Sequence, residues 1–396
     1  MPSPDPAERT AFARGWLSQR QALGLLRAPA SIGGTGWQVR VDGRVLTVLG
    51  SNDYLGLGRD PHVINAMQQE AAAMGTASTG SRTLTGNLEG HLALEEELAQ
   101  WLGTESAILF GSGYAANLGV ISALVGKEDH IVSDELNHAS IIDGCRLSRA
   151  RVTVTPHGDV EAVRAALDAI GRREAGQAPP LVVCDSLTSM EGLRAPLHKL
   201  SVACASAGAL LLVDEAHTLG LYGPGGNGMC THTGVRPDLI SGSLAKSTGS
   251  VGGFAAGTAP LIEFIRQRAR AYVYSAALPP PDIAAARAAV RRCQQGDDLR
   301  SAFWERDLQL RKALSDVLLP HSGRDHIHAL YTFTPSRTLA LQQALAEAGF
   351  LVPGIRPPTV KEGMLRLSTT ADTPAAALEP LAAALAAGIA TLPPNP

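Results

Sequence analysis

The sequence predicts an α/β protein, a mostly parallel sheet between helices, with a smaller α+β domain after it. Two patterns carry that prediction. Short apolar runs bounded by Gly, Asp or Pro recur through the first half of the chain, as strands buried on both faces require. Between them lie stretches with apolar residues at i, i+3 and i+4, the period of a helix that packs one face, and alternation of the two marks a wound parallel sheet. The length of 396 residues leaves room for a second core.

Taken in order, a proline-rich leader precedes an amphipathic stretch, roughly residues 7–26, expected to form a helix lying on the main body. Residues 1–45 are therefore read as an N-terminal helical segment. A large domain is expected over 46–282. Its strands are SAILF (106–110), HIVSD (130–134), RVTVTP (151–156), LVVCD (181–185) and ALLLVDE (209–215), and LEGHLALEEELAQWL is one of its helices. The prolines of ALPPPD (277–282) interrupt the chain, and IAAARAAVRRCQQ then opens a long helix. A small domain follows over 283–396, with strands at IHALYTF and MLRLSTT and one closing helix in TPAAALEPLAAALAAGIATL.

Composition narrows the partners. A net charge of -3 gives no general attraction to nucleic acid or to an anionic membrane, so any phosphate must be held locally. The five cysteines are scattered, without a CxxC pair, and read as reduced thiols of a cytoplasmic protein. The first residues carry acids and prolines and no apolar core of a signal peptide. No run of about 18 apolar residues is present to span a bilayer, and no metal site is expected.

The motif on which function turns is SGSLAKSTG (241–249). Lys246 there could end a phosphate-binding loop, act as a reactive amine or be a surface charge. A P-loop needs glycine at positions 240 and 245, which hold Ile240 and Ala245. GPGGNG (223–228) matches a dinucleotide fingerprint, but MCTHTG after it does not read as a helix, so it is taken as a turn. A reactive lysine needs a lowered pKa, and small neighbours leave space for a bulky carbonyl partner such as pyridoxal 5′-phosphate (PLP). That cofactor wants an acid at its ring nitrogen, a donor at its phenolic oxygen and a phosphate cradle. Asp214 stands at a strand end and His217 three residues on. GSGYAANLG (111–119) opens a helix whose first N–H groups, at Ser112, Gly113 and Tyr114, suit a phosphate. Ser243 offers a hydroxyl to the same anion. His138 follows another strand end, placed to lie on a ring or simply to sit satisfied in its loop.

These residues belong to a longer series: SNDYLGL (51–57), TGSRTLTGNLEGHLALEEELAQWLG, SGYAANLG, DELNHASIIDG, DEAHTLGLYG, SLAKSTGSVGG, VYSAALPP and IRPPTV, in that order from about residue 46 to 372. The series resembles the α-oxoamine synthases, PLP enzymes of fold type I that condense an amino acid with an acyl thioester. It is most similar to the biotin-pathway branch, which joins alanine to a pimeloyl thioester. The resemblance implies a seven-stranded, mostly parallel sheet, PLP on Lys246, Asp214 at the ring nitrogen, His138 on the ring and His217 at the phenolic oxygen. It also implies Ser189 near the ring, Arg356 forked onto the substrate carboxylate with Asn52 assisting or capping its own turn, and Tyr114 covering the cofactor or packing. The acyl donor is carried by coenzyme A or by a carrier protein. A homodimer with shared sites is implied, the loop 79–87 reaching the neighbour. Departures from the family pattern are Asp185 and Thr188 in DSLTSMEG, Ser243 for a threonine, Lys361 after IRPPTV, and a single Arg366 where paired arginines are usual. Readings that stay open are a relative using serine, glycine or another acyl chain, and, outside the family, a PLP aminotransferase or aldolase.

Overall fold

The computed structural model describes residues 9–171 and 178–394; Ala7 and the proline-rich leader lie outside them. Seven strands form the central sheet, in the order β4-β10-β9-β8-β7-β5-β6. They are β4 Ser106–Phe110, β5 His130–Asp134, β6 Arg151–Thr155, β7 Leu181–Asp185, β8 Leu210–Asp214, β9 Leu239–Ser243 and β10 Gly253–Gly257. β5 to β9 pair in parallel, while β10 runs antiparallel to both β4 and β9. The five apolar runs read from the sequence are β4 to β8. β9 and β10, LISGS and GFAAG, carry too little apolar bulk to stand out. Their glycines are demanded by packing, since a Cβ on Gly242 would come 2.7 Å from the Phe254 ring.

Each face of the sheet buries its own apolar core. One holds Leu98, Val132, Leu200, Leu211 and Phe254, the other Ile108, Val120, Ile131, Leu212 and Ile265. Helix Gly113–Leu124 packs into the second core and is capped by Ser112, whose Oγ accepts from Ala115 N at 3.1 Å. Its first turn presses against β10: a Cβ on Gly253 would lie 2.3 Å from Gly113 N. Only a bare backbone at 253 allows that approach.

The C-terminal part has an antiparallel sheet, β11-β12-β15-β14, built from His321–Ser322, His328–Phe333, Gly363–Leu367 and Gly354–Ile355. Helices Asp297–Ser315, Pro335–Glu347 and Leu381–Ala390 share its core, which includes Leu314, Leu330, Leu341, Leu365 and Leu385. The closing helix is two pieces, Ala375–Leu378 and Leu381–Ala390, because Pro380 lacks the N–H that a continuous helix would use.

The first 45 residues are not wholly helical. Helix Ala11–Ala22 is followed by β1 Ile32–Gly33 and β2 Gln38–Val41, which join β3 Arg44–Val48 and, in parallel to β3, β13 Phe350–Leu351. Nor does that helix lie down on the body. None of its residues is buried, and Phe12 is 81% exposed. Its attachment comes after its end, where Arg27 Nη2 donates to Thr359 Oγ1 at 2.9 Å.

The contact at Gly253 gives a direct test. Gly253→Ala should lower stability by about 1–3 kcal/mol through overpacking; an unchanged urea midpoint would contradict the close approach.

Candidate active site

The C-terminal ends of the parallel strands gather the polar side chains. Asp214 and Asp185 end the neighbouring strands β8 and β7 as register partners, both buried. Asp214 is held from two sides: Asn117 Nδ2 donates to Oδ2 at 2.6 Å and Ala216 N to Oδ1 at 2.8 Å. Asn117 is itself fixed, its Oδ1 accepting from Ser241 Oγ at 2.7 Å and its Nδ2 donating to Ser140 Oγ at 2.9 Å. Asp185 Oδ2 accepts from His138 N at 2.8 Å. Burial, then the like charge of Asp214, push the Asp185 carboxyl far above the usual range.

Lys246 follows β9 and faces these acids. Burial depresses its amine to about 8, against the opposing pull of Asp214 and Asp185 and with the help of Arg366. His138 is also held below its ordinary value, first by burial; Asp214 raises it and Lys246 lowers it. Its Nδ1 caps helix Ala139–Ser148, accepting from Ser140 N at 3.2 Å. His217 is 6% exposed. Burial, then Lys246 and Arg366, hold it well below 6.5, so it is neutral. Tyr114 meets His138 edge-on, with ring centroids 6.3 Å apart, and its hydroxyl donates to Asp143 Oδ2.

The anion end is where β9 meets helix Gly113–Leu124. A Cβ on Gly113 would lie 3.0 Å from Ser243 Cβ, so the absence of a side chain lets the serine stand directly at the helix N-terminus. Ser112 and Ser243 point their hydroxyls at local N–H groups of Ala115 and Ala245.

On the other side stands Arg366, 4% exposed. Its Nε donates to Ser189 O at 2.6 Å, and its Nη2 to Asn52 Oδ1 and Tyr54 Oη, both at 3.1 Å. Nη1 has no partner among the described residues. Arg356, the arginine expected here, is elsewhere: its Nη1 donates to Gly24 O. The IRPPTV loop clips the N-terminal segment, and β15 delivers the arginine of the site. Besides Arg366, sequence reasoning passed over Tyr54, Asn117, Ser140 and Ser241. Asn117 left one signal, a polar amide inside the otherwise apolar helix AANLGVISAL.

Glu215 is structural. It accepts from Met229 N at 2.9 Å and Cys230 N at 2.6 Å, and this capping holds MCTH as a one-turn helix, Met229–His232, where the sequence suggested none. A cavity of about 480 Å³ opens among Leu102, Glu105, Asn227, Arg236 and Thr258, but Asp185, Asp214, His138, His217, Lys246 and Arg366 do not line it.

The set fits PLP on its own chemistry: a carboxylate at a strand end for the ring nitrogen, a depressed amine for the aldehyde, two neutral imidazoles, and a helix N-terminus stripped of a Cβ for the phosphate.

Residues 44–385 match the family of class I and II aminotransferases. The chain is 43% identical to the 8-amino-7-oxononanoate synthase of Anaeromyxobacter dehalogenans, over 96% of this chain and 95% of that one. Among solved structures, the serine palmitoyltransferase of Sphingomonas wittichii superposes with a TM-score of 0.89 at 35% identity, covering 98% of this chain and 100% of that one. The serine palmitoyltransferase of S. paucimobilis, solved with bound PLP, gives 0.89 at 30% identity, covering 97% and 98%.

In the cofactor-free protein, acylation of Lys246 should rise with pH through a midpoint near 8, and Asp214→Asn, which removes the charge that raises it, should move the midpoint down. Unfolded lysine keeps its proton to about 10.5, so between the two values the unfolded chain binds more protons and this residue's contribution to stability rises with pH. Peptide mapping after trace acylation reads the midpoint; one near 10.5 would contradict the burial.

Proposed function

The chain belongs to the class I and II aminotransferase family and, within it, to the α-oxoamine synthases; from that premise we propose that it joins L-alanine to a pimeloyl thioester. The products are 8-amino-7-oxononanoate, carbon dioxide and the free thiol of coenzyme A or a carrier protein. The enzyme is a PLP-dependent C-acyltransferase. One observation carries the reading of the site: buried Asp214 ends β8 clasped by Asn117 Nδ2 and Ala216 N, and Lys246, following the adjacent strand β9, is close enough to feel its charge.

When bound, PLP supplies an electron sink for the amino-acid Cα. The rest falls to the chain. Lys246 Nζ, its amine depressed to about 8, is nucleophilic enough to bond the aldehyde and, once displaced, would be basic enough to take the Cα proton and return it. Asp214, fixed by Asn117 and Ala216 N, would hold a proton on the ring nitrogen. His138 would cover a ring face, and His217 would donate to the ring oxygen. Arg366 Nη1 receives the substrate carboxylate, with Asn52 and Ser189 orienting the guanidinium from behind. A carbon-carbon bond forms between Cα and the thioester carbonyl as the thiolate leaves, and loss of the carboxylate as carbon dioxide balances the reaction.

Serine palmitoyltransferases at a TM-score of 0.89 favour a second reading with serine and a longer acyl chain. The 43% identity over nearly the whole chain favours alanine and pimelate. The working unit in this reading is a homodimer, to which the loop 79–87 is suited: Leu84 is 80% exposed at its tip while Arg82 anchors its base on buried Glu95 at 3.0 Å. Five buried free thiols suit a reducing cytoplasm, and among the described residues no helix is long and apolar enough to cross a membrane.

Purified enzyme given L-alanine and pimeloyl-CoA should release carbon dioxide and thiol in equal amounts, with serine and glycine poorer. Amino transfer to a keto acid without thiol release would overturn the reading. Lys246→Ala should cut kcat by about 10² to 10⁴-fold. Arg366→Lys should raise KM for the amino acid about tenfold, because an ammonium cannot form the planar fork.

A further inference from the structure

Behind the imidazole of His217 lies a hydroxyl to which the reaction gives no task. Tyr54 is fully buried. Its Oη lies 2.7 Å from His217 Nδ1, 3.1 Å from Arg366 Nη2 and 3.2 Å from Asn52 Oδ1. The ring cannot turn aside, being packed edge-on against His326 at 4.6 Å and Phe303 at 5.9 Å between centroids.

One proton is shared among three neighbours. The guanidinium is always a donor, so Tyr54 Oη accepts there. Two arrangements remain: the hydroxyl donates to Nδ1, or it donates to Asn52 Oδ1 and accepts an Nδ1–H. The separation of 3.2 Å exceeds the 2.5–3.0 Å of an O–H···O bond, and Asn52 Oδ1 already accepts from Arg366. The 2.7 Å contact suits a hydroxyl donor, where an N–H···O bond would sit nearer 2.9 Å. A phenol beside a fixed cation is also the better donor and the poorer acceptor.

We propose that the Tyr54 hydroxyl donates to Nδ1 of His217 and fixes that imidazole as the Nε2–H tautomer, making Tyr54 a positioning residue. The choice of tautomer is a real one because His217, buried among cations, is neutral. Its consequence for catalysis rests on the function proposed above: Nε2–H is then the donor offered to the cofactor's ring oxygen. The same Tyr54 oxygen links that donor to Arg366, so the carboxylate end and the ring end of the site share one hydroxyl.

The test is Tyr54→Phe, which keeps the ring and its packing. In the full-length enzyme with ¹⁵N-labelled histidine, with and without PLP, wild-type His217 should give the Nε2–H pattern, assigned by its loss in His217→Gln. In Y54F it should change to Nδ1–H or an exchanging mixture, and PLP should bind about tenfold more weakly, the worth of about one hydrogen bond. In Asn52→Ala the wild-type tautomer should persist. An Nδ1–H pattern in the wild type, an unchanged pattern in Y54F, or a switch in N52A would overturn the proposal. These spectra do not depend on turnover, so they can fail while the condensation assay succeeds, and the reverse.

Discussion

A carboxylate clasped by two N–H donors at the buried end of a strand is the constraint around which the site is arranged. An isolated charge there would be very costly. Asp214 meets that cost with an amide N–H from Asn117 and a backbone N–H from Ala216, and Ser241 fixes the amide in turn. The neighbouring carboxyl, Asp185, cannot be ionised as well at that spacing, and burial and the like charge drive it neutral. At Lys246 burial outweighs the pull of both Asp214 and Asp185, and the amine drops to about 8. Two acids in register on adjacent strands thus divide their roles by partner, one taking N–H groups from Asn117 and Ala216 and one holding the backbone N–H of His138.

A second constraint is steric. The anion end works only because three backbones converge where side chains are missing: Gly253 under the first turn of helix Gly113–Leu124, Gly113 beside Ser243, and Gly242 under Phe254. The antiparallel course of β10 brings Gly253 opposite Ser243 and Phe110, beneath the first turn of that helix.

What the sequence made legible follows from locality. β4, β5, β7 and β8 could be read because their buried residues form short apolar runs, and the exposed edge strand β6 because RVTVT is rich in β-branched residues. Asp214, His217 and Lys246 were singled out because the chemistry needs an acid, a donor and an amine at strand ends, and they sit in two short motifs, DEAHTLGLYG and SLAKSTGSVGG. The supporting residues were hidden by distance along the chain. Asn117 and Asp214 lie 97 positions apart and Tyr54 and Arg366 312 apart, and no local spacing announces such pairs. Helix Ala11–Ala22 shows the opposite failure: its amphipathic period is plain, yet no buried face answers it within the chain.

The expectation for Arg356 came from the resemblance of IRPPTV, and in the structure that loop ties elements together. Arg356 binds Gly24 O, Arg27 reaches Thr359 Oγ1, and Lys361 Nζ meets Glu135 Oε2 at 2.9 Å, three residues before His138. Lys361 stands where the resembled family commonly has proline, so an ion pair between chain segments replaces a stiff residue. Exposed as that pair is, with the lysine side chain 84% accessible, it is worth no more than about 1 kcal/mol and cannot organise the site. A surface tie of this kind can be exchanged without touching the chemistry, whereas Arg366, buried with its Nε on a backbone carbonyl, cannot be moved without leaving a cation stranded in the core.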